Sequence, residues 1–459
     1  MKTSKINVTL FYLFTAFLFI GGLTACNDDN SSSEDNPYSP DKPLVVSSIG
    51  PEKGGIGTRV VVSGSNFGND ISKVKLFFNQ KEALILKVQN NAIYAMVPKQ
   101  PGEHSTIKVA VEDGVNSDGS PKYREETLKD KLFKYNIKAT VTTVAGQLDV
   151  KTAKDGPALE GSFGRPVMLA VDDEGTVLIA DDGGKMVRML SIQDNKLSTV
   201  LSGMHEPWQC SFNLDFTNYY VLERRTSMRP LLFYGLYKSS NWQEAEAYYD
   251  QKNDKGDYIA GAMDYFGLAA DNDYVFLLSL SSSGKRLIRV SIATKKVELI
   301  GENLNMDSWA HIAYNKKNGY LYITSEAWGR LYRLNPYHTP AGHSTPWITQ
   351  NEIEHIVGTG KGAAKEGNGK AAQLGEIEGM AADQEGNVYL ADYTNHVIWK
   401  VDEEFNATIF AGVPGESGYK DGKPQEALFN KPYDVAATPD GILYVADTYN
   451  YLIRCIAIQ

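Results

Sequence analysis

A repeated segment of 23 residues dominates the second half of the chain. Residues 379–401 (GMAADQEGNVYLADYTNHVIWKV) and 434–456 (DVAATPDGILYVADTYNYLIRCI) align without a gap at a displacement of 55 positions. Residues 168–190 (MLAVDDEGTVLIADDGGKMVRML) fit the same template. Each copy consists of short β-rich runs joined at Gly and Asp turns. A repeat of this length, built from such runs, predicts a β-propeller in which every copy is one blade.

Three further copies bring the predicted number of blades to six. Residues 312–334 align with the template without a gap, and degenerate copies occupy 208–224 and 268–290. The run at 140–146 corresponds to 407–412, which is the outermost strand of a blade. Since the last repeat supplies three strands of its own, we predict that residues 140–146 complete that blade. A ring closed in this way leaves no strand edge open for pairing.

The segments that precede the clean copies repeat as well. DGPALEGSFGRP at 155–166 and DGKPQEALFNKP at 421–432 share an initial Asp-Gly, Phe at the ninth place and a final Pro. Together with the preceding Val-Ala-Gly or Phe-Ala-Gly, these features resemble NHL repeats. The resemblance covers residues 139–459 and implies a propeller of the NHL type.

A second pattern of alternating runs precedes the propeller. GTRVVVSGSNFG at 57–68 predicts a strand followed by a tight turn, and IYAMVP at 93–98 predicts another strand. With Pro51, these runs resemble the IPT/TIG family of immunoglobulin-like domains, which implies a spacer or interaction module over 44–136. The predicted fold is therefore all-β: an immunoglobulin-like β-sandwich followed by a six-bladed β-propeller closed by an N-terminal strand.

The N-terminus has the layout of an export signal. Lys2 and Lys5 precede an apolar stretch from Leu10 to Gly22, and the sequence then reads Leu-Thr-Ala-Cys up to Cys26. This ending resembles a bacterial lipobox, which implies a signal peptide over 1–26 and a lipid on Cys26; the alternative is a cleaved signal with a bystander cysteine. Residues 27–43 are rich in Ser, Asn, Asp and Pro and predict a flexible tether. The acidic run directly after Cys26 resembles the surface-export signal of Bacteroidetes lipoproteins, which implies the outer membrane and the cell surface.

Charge and cysteine content narrow the possible partners. The formal net charge of −10 argues against a nucleic-acid binder, which needs an electropositive face to collect phosphates. Cys210 and Cys455 each lie in an apolar or aromatic run and predict two buried free thiols rather than a disulfide. We expect no cofactor.

A metal site has two candidate sources. His205, His311 and His396 have the residue type for a zinc site if they converge from three blades, but the clean copies carry Arg165 and Lys431 at matched positions. We therefore expect no metal there. Asp181, Asp392 and Asp447 occupy one position in three copies, and such repetition favours turn anchors that accept backbone N–H groups over catalytic or metal-binding carboxylates.

One face of the propeller is predicted to carry the binding site. In such a fold, the loops that enter each innermost strand and the loops that join second to third strands share a face. The candidate ligand-binding residues on it are Arg165, His205, Trp208, Arg224, Trp309, His311, Trp328, Tyr393, His396, Tyr433 and Tyr449. Aromatic faces cover the C–H surface of sugar rings, and polar groups bond their hydroxyls. The alternative for each aromatic residue is to fill the space between blades.

The predicted function follows from that rim and from the export signal. Bacteroidetes lipoproteins of this layout resemble accessory proteins that bind glycans beside outer-membrane polysaccharide importers, without bond cleavage and so without catalytic residues. One alternative is a hydrolase or lyase for a carbohydrate or lactone, with Glu378, Asp434, His311 and His396 as its nearest candidate groups. A further alternative is a protein-interaction scaffold.

Overall fold

The structure is a computed structural model. It describes residues 38–55, 57–98, 104–135, 139–224, 231–281, 284–306, 309–325, 327–439 and 441–458. The predicted signal peptide, Cys26 and residues 27–37 of the predicted tether lie outside these ranges. Within the described ranges, the regular structure consists of strands and short 3₁₀ turns, and no helix there is long and apolar enough to cross a membrane.

The first part of the chain folds into two four-stranded sheets and one small sheet. Its strands are β1 (Val45–Gly50), β2 (Lys53–Gly54), β3 (Arg59–Ser65), β4 (Val74–Phe78), β5 (Lys81–Glu82), β6 (Leu84–Gln89), β7 (Ala92–Met96), β8 (His104–Ser105), β9 (Ile107–Val115), β10 (Pro121–Thr127) and β11 (Phe133–Tyr135). The strand orders are β1-β3-β7-β6, β10-β9-β4-β5 and β2-β11-β8. A 3₁₀ turn, Ile71–Lys73, precedes β4.

The inward residues of both larger sheets form one core. Val60 and Val62 of β3, Leu76 of β4 and Ile93 of β7 alternate with more exposed neighbours, as strands with one buried face require. Apolar side chains of both sheets pack in a single cluster. These sheets over 45–135 have the all-β architecture that the sequence predicts for this region.

Residues 38–43, at the end of the predicted tether, lie against this sandwich. The side chain of Asn66 accepts a hydrogen bond from the Ser39 N–H at 2.8 Å and donates to the carbonyls of Ser39 and Lys42 at 2.9 Å each. Arg124 donates to the carbonyl of Pro40 at 2.9 Å. Asn66 has a φ of 65°, a conformation that asparagine tolerates and that directs its amide toward this segment.

The second part of the chain forms six sheets, numbered here along the chain. It begins with β12 (Ala139–Gly146). Sheet 1 contains β13 (Gly156–Pro157), β14 (Pro166–Val171), β15 (Thr176–Asp181), β16 (Met186–Ser191) and β17 (Lys196–Ser202). Sheet 2 contains β18 (Pro207–Phe212), β19 (Asn218–Glu223), β20 (Leu231–Tyr237) and β21 (Ala245–Tyr249). Sheet 3 contains β22 (Ala262–Ala270), β23 (Tyr274–Ser281), β24 (Gly284–Ser291) and β25 (Val297–Leu304).

The remaining three sheets follow the same order. Sheet 4 contains β26 (Ile312–Asn315), β27 (Tyr320–Ser325), β28 (Arg330–Leu334) and β29 (Glu354–Val357). Sheet 5 contains β30 (Gly367–Asn368), β31 (Ile377–Ala382), β32 (Val388–Asp392), β33 (Val397–Val401) and β34 (Asn406–Ala411). Sheet 6 contains β35 (Asp434–Ala437), β36 (Leu443–Asp447) and β37 (Leu452–Ile458). Short 3₁₀ turns span Lys238–Ser240, Gln350–Glu352, Gly369–Ala371, Pro424–Glu426 and Thr448–Asn450.

Strand β12 supplies the fourth strand of sheet 6. It pairs antiparallel with β37, so that Thr142 lies opposite Cys455 and Val141 opposite Ile456. The first strands of neighbouring sheets also contact one another, in the order β14, β18, β22, β26, β31 and β35, and β35 contacts β14 again. All six of these strands contribute residues to the wall of one cavity, and the space between them is called the channel below.

Two buried polar side chains join the first strands across this channel. The amide oxygen of Gln209 accepts from the N–H groups of Leu268 (2.8 Å) and Ile312 (3.3 Å), and its nitrogen donates to the carbonyl of Ile312 (3.0 Å). The carboxylate of Asp434 accepts from the Leu169 N–H at 2.9 Å. Gln209 therefore connects sheets 2, 3 and 4, and Asp434 connects sheets 6 and 1.

The three repeated aspartates are structural anchors, as predicted, although their reach differs from the prediction. Asp181 accepts from the N–H groups of Gly164, Arg165 and Gly184 at 2.7–3.0 Å. Asp392 and Asp447 make the corresponding bonds. A turn anchor was expected to bond two residues ahead. Asp181 and Asp392 bond the backbone N–H three residues ahead. All three carboxylates also hold the segment that enters the first strand of the sheet, 16 or 17 residues earlier.

The residue seven positions after each of these aspartates completes the anchor. Arg454 donates to Asp447 at 2.7 Å, and the indole N–H of Trp399 donates to Asp392 at 2.9 Å. Arg188 lies 3.5 Å from Asp181. These three partners are fully buried. The three aspartate carboxylates therefore interact with groups inside the protein.

Candidate aromatic face at the loop end of the channel

Arg224 lies between two tryptophans at the end of the channel where the first strands begin. Its guanidinium carbon is 4.4 Å from the ring centroid of Trp208 and 4.3 Å from that of Trp309. Arg224 follows β19, Trp208 is the second residue of β18, and Trp309 lies in the loop before β26. Loops that enter first strands and loops that join second to third strands therefore meet here. Arg224 is 1% exposed, whereas Trp309 is 37% exposed.

The charge of Arg224 is balanced by one carboxylate in the loop before β18 and one in β22. Glu206 and Asp264 each lie 3.9 Å from its guanidinium. A cation placed between two indole faces and away from water is attracted by both ring quadrupoles. The stack therefore holds a buried guanidinium, with its charge balanced, between the buried ring of Trp208 and the partly exposed ring of Trp309.

His311 lies next to this stack and is neutral near pH 7. It is 1% exposed, and burial, followed by the charge of Arg224, lowers its pKa to about 3. Its Nε2 is 3.8 Å from the carboxylate of Glu378, and its Nδ1 has no hydrogen-bond partner among the described residues. The Trp208 ring centroid lies 6.4 Å away.

A row of tyrosines leads from the stack to solvent. Trp208 contacts Tyr433 edge to face at 5.8 Å, Tyr433 contacts Tyr393 at 5.4 Å, and Tyr393 contacts Tyr449 at 5.8 Å. The Tyr393 hydroxyl also donates to that of Tyr449 at 3.2 Å. Tyr449, at the end of the row, is 39% exposed. The row therefore runs from the buried ring of Trp208 to the exposed ring of Tyr449.

Lys431 is a member of this face that the sequence analysis did not select. Its ammonium lies 4.7 Å from the ring centroid of Tyr393 and 4.9 Å from that of Tyr449, and it donates to the Tyr393 hydroxyl at 3.1 Å. Its backbone N–H donates to Nδ1 of His396 at 3.1 Å. The sequence feature that could have identified Lys431 is its position in the repeated entry segment, where it matches Arg165.

Arg165 lies at the corresponding entry to sheet 1. Its guanidinium forms an ion pair with Asp182, and Lys185 lies 3.7 Å from the same carboxylate. The carbonyl of Pro166, the next residue, accepts a hydrogen bond from the Thr448 hydroxyl at 2.6 Å. Arg165 is thereby held beside the turn that carries Tyr449.

Five of the predicted residues are not part of the aromatic face as defined here: Arg165, His205, His311, Trp328 and His396. Trp328 packs against Tyr332 of β28 at 6.4 Å and borders a small cavity lined in part by Met306. His205 is exposed, and its backbone N–H donates to Glu223 at 2.9 Å. We define the aromatic face as Trp208, Arg224, Trp309, Tyr393, Lys431, Tyr433 and Tyr449.

The opposite end of the channel contains a cavity that the sequence analysis missed. It has an empty volume of about 940 Å³, part of it open to solvent, and all six first strands contribute to its wall. One residue from each strand is Ala170, Ser211, Leu268, Ala313, Met380 and Ala436. Most of these side chains are small or aliphatic, and such residues give no sequence signal that separates a channel wall from a core.

The residues considered for metal binding or catalysis are engaged in other contacts. Among the described residues, no three His, Cys, Asp or Glu side chains form a group suited to a metal ion. His396 accepts the backbone bond from Lys431, and burial, then the charge of Lys431, lowers its pKa. Burial raises the pKa of Asp434 well above its ordinary value, and its carboxylate bonds backbone N–H groups. Cys210 and Cys455 are buried free thiols, as predicted.

Family models match both parts of the chain. The IPT/TIG domain model matches residues 44–123, and the NHL repeat model matches residues 429–456. The chain carries an IPT/TIG domain and an NHL repeat. The IPT/TIG match falls on the two-sheet sandwich. The NHL match covers the end of the entry segment before sheet 6, then β35, β36 and most of β37.

Two solved structures are similar to this chain over most of its length. A Bacteroides thetaiotaomicron protein of unknown function is 25% identical, with a TM-score of 0.72 over 92% of this chain and 100% of that chain. An auxiliary nutrient binding protein from the same organism is 21% identical, with a TM-score of 0.58 over 92% and 99% of the two chains. The second likeness shows a shared fold.

A curated relative matches a short part of the chain. Protein SUPPRESSOR OF QUENCHING 1 of Arabidopsis thaliana is 37% identical over 94 residues, which is 20% of this chain and 9% of that protein. The match therefore spans less than a tenth of the length of the plant protein.

Proposed function

We propose that the chain is a cell-surface lipoprotein that binds an extracellular glycan on its aromatic face and thereby assists nutrient uptake across the outer membrane. The observation that carries the proposal is the continuous aromatic row from the buried Arg224 stack to the exposed ring of Tyr449. The proposed event is binding without bond cleavage.

The aromatic face has the two kinds of group that a sugar polymer needs. Trp309 and Tyr449 are 37% and 39% exposed, so each has ring surface available for the C–H face of a pyranose. Lys431 and the Tyr393 and Tyr449 hydroxyls add donors and acceptors for sugar hydroxyls. Rings fixed by edge-to-face neighbours lose little conformational entropy on binding, which favours affinity.

The scaffold in this proposal is a six-bladed propeller over 139–459. The six sheets are its blades, and β12 closes the ring by completing sheet 6. The pairing of β12 with β37 and the contact of β35 with β14 support this architecture. The IPT/TIG domain, taken as 44–136, serves as the spacer between the propeller and the membrane.

Localisation and partners follow from the N-terminus and from a structural neighbour. In this proposal Cys26 of the lipobox carries the lipid, and residues 27–43 form the tether, of which 38–43 lie against the sandwich. The acidic run after Cys26, which resembles a surface-export signal, supports a position on the outer membrane. The B. thetaiotaomicron neighbour is described as an auxiliary nutrient binding protein, and the proposal extends that description to this chain. An outer-membrane importer is the proposed partner.

Affinity electrophoresis of the full chain, purified in detergent, tests the proposal. Gels contain bacterial, plant and host polysaccharides, and the reducing ends released in parallel incubations are counted. We expect retardation without release, and loss of retardation when Trp309→Ala and Tyr449→Ala are combined. Tyr258→Ala is the matched control because Tyr258 is 40% exposed and lies in the loop after sheet 2. Release of sugar ends, or migration unaffected by every polysaccharide, contradicts the proposal.

A further inference from the structure

Two cations from different entry segments lie near Tyr449. Lys431 has its ammonium 4.9 Å from the Tyr449 ring centroid. The hydroxyl of Thr448, the residue before Tyr449, bonds the carbonyl of Pro166, the residue after Arg165, so Arg165 is held close to the turn that carries Tyr449. The Tyr449 ring is 39% exposed and is therefore accessible to a ligand.

The cations around Tyr449 outnumber the carboxylates that pair with them. Arg165 and Lys185 share the single carboxylate of Asp182. In the described part of the chain, the ammonium of Lys431 has the Tyr393 hydroxyl as its hydrogen-bond partner and no carboxylate within ion-pair distance. The carboxylate of Glu378, also near these tyrosines, is 5% exposed and lies 3.8 Å from the buried His311.

An anionic group on the ligand would supply the missing charge. A pyranose ring on the exposed part of Tyr449 would carry its substituents near Lys431, whose ammonium lies 4.9 Å from the centroid of the tyrosine ring. A guanidinium and an ammonium bind carboxylate and sulfate oxygens through charge-assisted hydrogen bonds. The net charge of −10 on the whole chain opposes the approach of polyanions, so binding of a polyanion requires such a local group of cations.

We propose that Tyr449, Arg165 and Lys431 form a subsite for an anionic sugar residue, with the ring on Tyr449 and the anionic group between the two cations. This inference rests on the proposed glycan-binding function and specifies its ligand class. The shared chemistry is a carboxylate or a sulfate ester carried on a sugar ring.

Calorimetric titration with matched polymers tests the subsite. The full chain is titrated with polygalacturonate, alginate, hyaluronate, heparin and neutral polysaccharides, and each acidic polymer is paired with its carboxyl-reduced or desulfated derivative. We expect an acidic polymer to bind at least about 10-fold more tightly than its neutral derivative, because only the acidic polymer accepts charge-assisted hydrogen bonds from the cations. Carboxyl reduction and desulfation distinguish the two anionic groups.

Variants that remove one positive charge show which side chains bind the anionic group. Lys431→Gln and Arg165→Gln should each weaken the binding of acidic polymers about 10-fold more than the binding of their neutral derivatives. Lys252→Gln is the matched control because Lys252 lies 5.1 Å from the centroid of Tyr258, a ring as exposed as that of Tyr449. It should bind as the parent chain does.

The outcomes separate this inference from the proposed function. Tight binding of neutral glycans, lost in Tyr449→Ala but indifferent to anionic groups and to Lys431→Gln, overturns the subsite and leaves the proposed function standing. Equal losses of affinity in Lys252→Gln and Lys431→Gln also overturn the subsite, because the affinity then depends on the total charge of the protein and not on the position of the cation. Failure of every polysaccharide to bind overturns the proposed function together with the subsite.

Discussion

The carboxylate of Asp434 accepts a hydrogen bond from the backbone N–H of Leu169 at 2.9 Å, although the two residues lie 265 positions apart. The bond joins the first strand of sheet 6 to the first strand of sheet 1. Gln209 makes the corresponding bonds to sheets 3 and 4. First strands carry N–H groups that their own sheets leave unpaired, and these two side chains satisfy several of them inside the channel.

Removal of the Asp434 carboxylate should destabilise the junction between sheets 6 and 1. We expect Asp434→Ala to lower the free energy of unfolding by about 2 kcal/mol, because a buried N–H without an acceptor costs about 1–3 kcal/mol. Asp434→Asn keeps one acceptor oxygen and should lose less. Urea denaturation followed by tryptophan fluorescence measures both, with the exposed Asp254→Ala as control. Equal midpoints for Asp434→Ala and the control would contradict the account.

The buried pair of Arg454 and Asp447 should be costly to break. Arg454→Met leaves Asp447 buried without its cation, and we expect a loss of about 3–5 kcal/mol in the free energy of unfolding. Burial, against the opposing charge of Arg454, already raises the pKa of Asp447 to about 6. Loss of the arginine raises that pKa further, so the defect should narrow as the pH falls and Asp447 takes up a proton. Arg333→Met, which breaks a more exposed pair with Glu354, should lose about 1 kcal/mol or less.

The pairing of β12 with β37 is open to a covalent test. Thr142 lies directly opposite Cys455, so a cysteine at 142 has a native thiol as its cross-strand partner. Opposed residues in antiparallel strands lie within the Cα separation that a disulfide spans. We expect Thr142→Cys to form this disulfide on mild oxidation, detected by peptide mass. Thr140→Cys, which lies opposite Ala457, should keep its thiol. Free thiols in both variants would contradict the pairing.

His311 should make the protein sensitive to acid. Its folded-state pKa of about 3 lies below the ordinary histidine value of 6.5. Between these values the unfolded state binds a proton that the folded state does not, so stability falls as the pH decreases from 6.5 toward 3, by at most about 1.4 kcal/mol per pH unit. Charged groups nearby are Arg224 and Glu378.

Comparison of two variants isolates the contribution of His311. Urea midpoints between pH 7 and pH 4 should fall less steeply for His311→Gln than for the parent chain. His343→Gln replaces an exposed histidine and should follow the parent profile. A profile for His311→Gln that is parallel to the parent would show that this imidazole does not contribute.

The sequence predicts the repeated parts of this molecule well. The three clean copies coincide with sheets 1, 5 and 6, and the repeated aspartates anchor their turns. These features depend on local alternation and turn chemistry, which recur at a fixed period. The two-sheet sandwich follows from the same kind of alternation.

The candidate site depends on contacts that no local pattern encodes. Arg224 contacts Trp309, which lies 85 positions later in the chain. The second and third repeats are degenerate, so aligning them gives little information on where such loop residues lie. In the sequence, only the match to Arg165 indicated that Lys431 belongs to the candidate site. Trp328 was assigned to the rim by its position after a second strand, yet its ring packs outward on Tyr332, because a loop position does not fix the direction of its side chain.

The position of a bound sugar tests the central claim most directly. A co-crystal of the full chain with the polysaccharide fragment that it retains would show which end of the channel holds the ligand. The account predicts sugar rings against Trp309 and Tyr449 on the aromatic face. Sugar density in the opposite cavity, beside Ser211 and Met380, with the aromatic face unoccupied, would contradict it.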